Sequence, residues 1–444
     1  MTSIKSNPIT WVPSVYFAMG LPFVVLNMVS VLMFKGMGIS DGQITFWTSW
    51  IMMPWTLKFL WSPFLEMYKT KKFFVVLSQL ITGVGFGLVG LALHLPHFFT
   101  LCIVLMAIIA FSGATHDIAA DGVYMSELSK EDQARFIGWQ GAFYNIAKIV
   151  ASGGLVWLAG WLLKQNGGVP GASAEVMQRA TVQAWMIVMM ALGGILVLLS
   201  LYHSRMLPSG GVAVKKAESA RETWQRLLEV LGDFFHKRHI IYYICFIILY
   251  RFAEGFVMKI VPLFLKAGRN IGGLGLSEEE IGIYYGTFGA AAFVLGSILA
   301  GYYISHFGLK KTLFSLCCVF NLPFVAYTLL SFYQPENGLL IGGAITLEYF
   351  GYGFGFVGLT LFMMQQVAPG KHQMAHYAFA SGIMNLGVML PGSISGFISD
   401  ALGYKYFFVF TLVATIPAFL ITYFVPFTYS APVKTESESG ETVS

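Results

Sequence analysis

Long apolar stretches of about twenty residues recur along the whole chain, and they limit the possible folds more than any other feature. One of them contains the run FFTLCIVLMAIIAF, residues 98–111. A helix of about 20 apolar residues crosses ~30 Å of lipid hydrocarbon. The chain is 56% hydrophobic and 11% charged, whereas soluble domains are about 25% charged. Because the runs are continuous rather than alternating, they predict an all-α integral membrane protein and not a β-barrel.

Hydropathy predicts twelve transmembrane helices in two groups of six. The predicted spans are 11–34, 44–66, 73–94, 98–126, 134–163, 181–203, 240–266, 280–304, 311–332, 338–368, 374–399 and 404–427. The chain is accordingly divided into an N-terminal six-helix bundle (1–203), a cytoplasmic linker (204–239), a C-terminal six-helix bundle (240–428) and a disordered cytoplasmic tail (429–444).

The linker contains the segment ESARETWQRLLEVLGDFF, which has the pattern of an amphipathic helix. Four apolar residues fall on one face of that helix: Trp224, Leu227, Leu228 and Leu231. Such a helix is typical of segments that lie on the membrane surface, so we expect the lipid bilayer to be a partner here as well as around the spans.

Lys and Arg are distributed unevenly between the two sets of loops. With both termini inside the cell, the cytoplasmic segments hold seventeen of them and the opposite loops hold six. Membrane proteins concentrate positive residues on the cytoplasmic side, so this topology is the predicted one. The formal net charge of +5 fits the same bias and requires no nucleic-acid partner.

The two halves also resemble each other weakly. EMYKTKKFF follows the second span and SHFGLKKTLF follows the eighth, which sets Lys72 and Lys311 239 positions apart. Repeated six-helix halves build one large class of secondary transporters, in which the substrate binds between the halves near the bilayer midplane.

Ionisable residues inside the predicted spans are the candidates for function. The segment SGATHDIAADG, residues 112–122, places Asp117 and Asp121 one helical turn apart. One carboxylate at the bilayer centre costs roughly 2.5–3.5 kcal/mol on insertion scales, and such residues usually mark substrate or ion pathways. The spans hold four acids and four bases: Asp117, Asp121, Glu254, Glu348, Lys58, Lys148, Arg251 and Lys259.

Two interpretations of these charges remain open. In the first they line a water-filled path, bind a polar solute and carry protons. In the second they hold helices together or reach the membrane surface, which the positions of Lys58 and Lys259 near span ends favour. Arg251 and Glu254 are three residues apart and can pair with each other on one helix.

Motifs for other chemistry are absent from the sequence. No GxxxxGK[ST] phosphate loop is present, so ATP is not the expected energy source. The segment HQMAH gives His372 and His376 the spacing of a zinc helix, but Gln373 replaces the glutamate that would activate water. We therefore expect no enzyme activity, no metal and no cofactor.

Three motifs carry a family resemblance. ATHDIAADG is similar to ATQDIxxDG, with His116 in place of Gln, and LKFLWSPFLEMY is similar to FKFLWSPL-D-RY, with Lys58 before FLWSP and Glu66 at the position of the acid. In GYYISHFGLKKTLF, the pattern G-x-x-x-D-[RK]-x-G-[RK]-[RK] is matched by Gly301, Gly308, Lys310 and Lys311. The chain thereby resembles the major facilitator superfamily, and within it the AmpG-type muropeptide permeases and the related acetyl-CoA transporters.

The resemblance implies a monomer with the major facilitator fold, two six-helix halves, in a bacterial inner membrane. It implies uptake of a small molecule driven by the proton gradient, the substrate being GlcNAc-1,6-anhydro-MurNAc, its peptides or a similar saccharide. Asp117 and Asp121 match the two acids of the helix 4 motif and are the first candidates for proton coupling or solute binding.

Other candidates come from the residues themselves. Glu254 and Glu348 are further acids for proton coupling, and Lys148 and Arg251 are bases for substrate binding. The Arg251 guanidinium can pair a substrate carboxylate bidentately. Four aromatic residues can stack on sugar rings or serve ordinary packing: Tyr16, Trp139, Tyr144 and Tyr250.

Three alternatives stay open. A carrier for another sugar or for an acetyl-CoA-like anion uses the same scaffold, although an anionic nucleotide should require more than two or three cavity bases. A multidrug exporter would suit walls rich in Met and Phe, of which the chain has 21 and 39. A membrane sensor that merely retains a transporter fold is the third.

Overall fold

The computed structural model of the protein describes residues 7–62, 65, 69–128, 130–210, 220–370 and 372–429. Within these ranges the regular structure is helical, without a β-strand. The first six transmembrane helices are α1 (Pro8–Gly36), α2 (Asp41–Trp50, continued by Met53–Leu57), α3 (Lys71–Ala92), α4 (Phe98–Glu127), α5 (Lys130–Ile149, continued by Val150–Leu155 and Val156–Gln165) and α6 (Ala174–Met206).

A linker helix, Ala220–Phe235, precedes the second six. These are α7 (Ile240–Tyr250, continued by Phe252–Lys266), α8 (Glu278–Ile281, continued by Gly282–Phe288 and Gly289–Phe307), α9 (Leu309–Asn321, continued by Phe324–Tyr333), α10 (Gly338–Phe362, continued by Met363–Val367), and α11 and α12, which share Gln373–Ala414 before α12 ends with Ile416–Tyr423.

Twelve transmembrane helices are present in the described residues, as predicted. Nine helical stretches are long and apolar enough to cross a membrane, and one of them, Ala375–Tyr423, contains both α11 and α12. Those two separate at Gly403, whose φ of 69° and ψ of 160° are not helical. The nine stretches hold ten of the twelve helices, and α2 and α7 are the remaining two. Each of these is interrupted by a short break, which in α7 lies at Arg251.

Hydropathy placed the start of several helices too late, because it does not detect a polar first turn, and serine caps mark two of these starts. α2 begins at Asp41 rather than residue 44, and the Ser40 hydroxyl accepts a hydrogen bond from the Gln43 backbone N–H at 3.4 Å. α6 begins at Ala174 rather than residue 181 and is capped in the same way by Ser173. Both serines satisfy an N–H group that the helix itself leaves unpaired.

The two halves are joined at the end of the bundle where α1 ends and α2 begins, which we call the sealed end. Tyr404 donates to the Asp41 carboxylate at 2.8 Å, and the Gly42 N–H donates to the Asp400 carboxylate at 3.2 Å. The Gly396 N–H donates to Thr45 Oγ1 at 3.1 Å. We call the opposite end, where α1 begins and α6 ends, the open end, because the hydrogen bonds just named lie away from it.

Close backbone approach between α5 and α8 completes the seal. Each helix has a π-helical segment at this point, Val150–Leu155 in α5 and Gly282–Phe288 in α8. The Ser152 hydroxyl donates to the Gly286 carbonyl at 3.2 Å, and a Cβ on Gly286 would lie 2.1 Å from the Ser152 carbonyl oxygen. Small residues allow transmembrane helices to approach this closely.

The linker helix packs on the C-terminal half through only part of its apolar face. Leu227, Leu231 and the fully buried Phe234 contact the core of that half. Trp224 and Leu228 are exposed by 45% and 50%, so the predicted single stripe is divided between protein contact and an exposed edge. Placement of that edge on the membrane surface stays a prediction.

We predict that Gly286→Val weakens the sealed end, because the added side chain collides with the α5 backbone. Overpacking of this kind costs about 1–3 kcal/mol. In a cysteine-free background with Thr45→Cys as reporter, a membrane-impermeant maleimide should label Gly286→Val faster than the parent protein. The control is Gly301→Val, where a Cβ meets no atom within 4 Å. Equal labelling rates in the two variants would contradict this account of the seal.

Candidate functional site

Asp117 lies in the N-terminal half and is held from two sides. The indole N–H of Trp55 donates to its Oδ2 at 2.9 Å, and Lys58 Nζ lies 3.7 Å from the same oxygen. The other oxygen, Oδ1, is buried and has no hydrogen-bond partner in the described structure. Lys58 is 38% exposed and Asp117 is 13% exposed, so one member of this ion pair is accessible and the other is largely buried. A buried carboxylate oxygen without a donor is a place where a proton can bind.

Asp121 lies one turn further along α4 and makes a different contact. The Tyr16 hydroxyl donates to its Oδ1 at 2.9 Å, and the Tyr16 ring packs edge-on against Tyr124 with centroids 5.8 Å apart. Lys58 interacts electrostatically with both aspartates. Two carboxylates therefore share one ammonium group, which leaves this half of the site one positive charge short.

Arg251 and Glu254 form a closed pair on α7. Arg251 Nε and Nη2 each donate to Glu254, both at 2.5 Å, and both side chains are buried. The Tyr352 hydroxyl accepts a further hydrogen bond from Nη2 at 3.3 Å. Arg251 lies at the break in α7, and Glu254 lies in the first turn of the segment that follows, so the two side chains can meet. The bidentate donor edge that we assigned to a substrate carboxylate is thus already occupied.

Glu348 and Tyr250 lie deeper in the C-terminal half. Glu348 is buried and accepts a hydrogen bond from the Tyr327 hydroxyl at 2.9 Å. Tyr250 is fully buried, and its hydroxyl donates to the Gly355 carbonyl at 2.9 Å. Tyr250 therefore serves packing, and its buried ring is not accessible for stacking on a sugar.

Lys148 lies between aromatic rings of the two halves. Its ammonium group is 5.0 Å from the ring centroid of Tyr144, one turn earlier on α5, and 5.3 Å from that of Phe293 on α8. Phe293 packs in turn on Tyr352, with centroids 4.8 Å apart. These contacts connect Lys148 to the Arg251 pair.

Lys259 on α7 reaches across to the N-terminal half on the side of the seal. It donates to the carbonyl and side-chain oxygens of Asn27, at 3.2 and 2.7 Å, and to Thr48 Oγ1 at 3.3 Å. Asn27 lies in the π-helical turn Val25–Val29, where the α-helical hydrogen-bond pattern is interrupted. The described structure shows three neutral acceptors for this buried cation and no carboxylate.

The remaining predicted residues lie apart from these contacts. Trp139 is 45% exposed and stacks on Phe143, and Tyr16 is buried, so it orients Asp121 rather than offering a free ring. In the loop motif, Gly308 has a φ of +82° and Lys310 and Lys311 are exposed at the start of α9. Gly301 lies within α8, and Glu66 falls outside the described residues.

A buried polar chain beside Asp117 was missed by sequence reasoning. Gln79 Nε2 is 2.9 Å from His116 Nε2, and Gln79 Oε1 is 2.8 Å from His203 Nδ1. His203 Nε2 is 2.9 Å from Ser14 Oγ. The amide has one donor end and one acceptor end, so it fixes His116 as acceptor and His203 as donor. The only sequence signal was three polar residues, Ser14, Gln79 and His203, each within an apolar span.

We predict that Gln79→Leu destabilises the N-terminal half, because two buried histidines each lose a partner. An unsatisfied buried group costs about 1–3 kcal/mol. The unfolding midpoint in detergent should fall, whereas the exposed Gln178→Leu should leave it unchanged. An unaltered midpoint for Gln79→Leu would show that the chain contributes nothing to stability.

Comparison with known proteins places these features in a family. The model of the Major Facilitator Superfamily matches residues 14–373 and 273–443. The chain is 23% identical to the anhydromuropeptide permease of Escherichia coli K12 over 378 residues, covering 83% of this chain and 69% of the permease. It is 21% identical to the putative transporter AmpG 4 of Rickettsia conorii over 423 residues, covering 90% and 92%.

Solved structures show the same fold. A bacterial homologue of the human lysosomal transporter Spinster, inward-facing and unoccupied, aligns with a TM-score of 0.68 at 15% identity over 95% of this chain and 96% of that one. A D-xylose–proton symporter aligns with a TM-score of 0.67 at 10% identity over 94% and 97%. With twelve helices in two contacting halves and charged residues between them, the chain belongs to the major facilitator superfamily and is a multi-pass membrane transporter.

Proposed function

We propose that the protein imports anhydromuropeptides, or a similar saccharide, together with protons across a bacterial inner membrane. The observation that carries the proposal is Asp117, a largely buried carboxylate on α4 with one oxygen unpaired and the other held by Trp55 and Lys58. Support for the substrate comes from the anhydromuropeptide permease of E. coli, to which most of the chain is similar. No further cofactor is required.

The uneven charge around α4 supports proton coupling. Asp117 and Asp121 share Lys58, so a proton on one of the aspartates balances the local charge. An aspartate that binds a proton in one conformation and releases it in the other would couple proton movement to the conformational change that opens the site to each side of the membrane in turn. One elementary charge crossing ~100 mV supplies about 2.3 kcal/mol, which sustains roughly 50-fold accumulation when solute and protons together carry one net positive charge, as one proton does with a neutral sugar or two protons do with a monocarboxylate.

Orientation follows from the distribution of Lys and Arg. With both termini in the cytoplasm, the open end faces the cytoplasm and the sealed end faces the periplasm. In this proposed orientation the polar contacts between the halves close the periplasmic side, which is the arrangement expected of a carrier that would release its solute into the cell. A carrier for another saccharide or an acetyl-CoA-like anion, an exporter, and a sensor are distinguished from this proposal by direct transport measurements.

We predict that Asp117→Asn abolishes proton-driven accumulation, because the amide cannot bind the coupled proton. Purified protein in liposomes is tested with radiolabelled GlcNAc-1,6-anhydro-MurNAc and an imposed proton gradient. Wild type should accumulate the sugar and lose accumulation when a protonophore is added. Asp117→Asn should at most equilibrate it. Glu175→Gln, at an exposed acid outside the site, should behave like wild type.

Three outcomes contradict the proposal in different ways. Absence of uptake by correctly folded wild type removes the muropeptide assignment. Uptake that ignores the protonophore removes proton coupling. Full accumulation by Asp117→Asn moves the proton site to another acid, of which Asp121 is the nearest.

A further inference from the structure

Lys148 differs from the other cations between the halves in what surrounds it. Within the described residues no carboxylate lies within ion-pair distance of its ammonium group, which is half-buried and flanked by Tyr144 and Phe293. Lys58 has Asp117, and Lys259 has three oxygen acceptors from Asn27 and Thr48. Aromatic faces attract a cation but leave its N–H donors without acceptors.

A second positive group faces this lysine from the other half. Arg251 lies close enough to interact with Lys148 electrostatically, and the two are connected through Phe293 and Tyr352. Arg251 uses Nε and Nη2 for Glu254 and Tyr352, while Nη1 makes no hydrogen bond within the described structure. One ammonium group and one guanidinium nitrogen thus lack acceptors in the same part of the cavity.

We propose that Lys148 and Arg251 form an anion site between the two halves, which binds a carboxylate of the transported saccharide. The inference deepens the proposed function and rests on it for the saccharide part of the ligand. Lys148 supplies the direct ion pair, because Arg251 is already bidentate to Glu254, and Arg251 contributes through Nη1 and its charge. Tyr144, Phe293 and Tyr352 surround the site with rings suited to the apolar faces of a sugar.

The site also connects binding to movement of the halves. Lys148 belongs to α5 of the N-terminal half, whereas Arg251 and Phe293 belong to α7 and α8 of the C-terminal half. Lys148 and Arg251 carry like charges on opposing halves, and Glu254 offsets that of Arg251. A carboxylate between them gains an attraction to Lys148 of one half and to Nη1 of Arg251 of the other, which favours closer approach of the halves. An acidic saccharide should therefore be preferred over its neutral counterpart.

The test compares acidic and neutral forms of the same sugar by binding to purified protein. The first pair is GlcNAc-1,6-anhydro-MurNAc and the methyl amide of its lactyl carboxylate. The second pair is glucuronate and glucose, and the result with this pair does not depend on the muropeptide assignment. Wild type should bind the acid of at least one pair about tenfold more tightly than the neutral form, equivalent to about 1.4 kcal/mol.

Variants at Lys148 assign that preference to the side chain. Lys148→Met should bind both forms of a pair equally, with unchanged affinity for the neutral form, and Lys148→Arg should retain the preference. The matched control is Lys405→Met, because Lys405 also lies over a ring, Phe332, but at the sealed end of α12. That variant should behave like wild type.

Each possible result either supports or overturns the anion site. A preference for the acid that survives in Lys148→Met, or equal binding of both forms by wild type, overturns the anion site and leaves muropeptide transport standing. A Lys148-dependent preference for glucuronate without binding of either muropeptide form supports the anion site and removes the muropeptide assignment. Failure to bind any of the four sugars overturns both.

Discussion

Lipid supplies neither counterions nor hydrogen-bond partners, and this constraint governs where the charged side chains of the protein lie. Asp117 and Asp121 turn toward Lys58, Trp55 and Tyr16 instead of the bilayer. Arg251 and Glu254 satisfy each other within one helix. As a result the charged side chains find protein partners inside the bundle rather than facing lipid.

Pairing among these side chains is uneven, and the unevenness is what makes it chemically useful. The four acids and four bases balance in number, yet two aspartates share one lysine while Lys148 and Lys259 have no acidic partner in the described structure. A fully paired set would hold the helices together and do nothing else. In the mechanism proposed above, Asp117 accepts a proton and Lys148 accepts an anion.

The seal combines a few polar contacts with a buried apolar cluster that contains residues of both halves. Single hydrogen bonds join Asp41 to Tyr404 and Thr45 to Gly396, and backbone approaches backbone at Gly286. Lys259 adds a buried cation whose acceptors belong to the opposite half. Each of these contacts joins the halves near the sealed end, so opening the cavity on that side requires their rupture and separation of the shared apolar cluster.

Much of the architecture was predictable, because a continuous apolar span can pair its backbone N–H and C=O groups in lipid only by forming a helix. Twelve helices, their pairing into two halves and the intramembrane charges all follow from the sequence at this level. Helix starts at Asp41 and Ala174 were missed, since a serine cap is a local polar signal that an average over apolar residues hides. The linker helix was predicted as amphipathic, but not which of its apolar residues would contact protein.

The sequence by itself determined that this is a helical membrane protein with ionisable groups inside the bilayer, because composition and hydropathy depend on neighbours along the chain. Only the tertiary structure decided the partners of those groups. Arg251, a candidate for substrate binding, pairs with Glu254, and Gln79 joins two histidines that lie 37 and 124 positions away. Tyr250 was a candidate for stacking on a sugar ring, and its side chain is fully buried. Such contacts depend on how helices distant in sequence turn toward one another, which the spacing of residues along one helix does not specify.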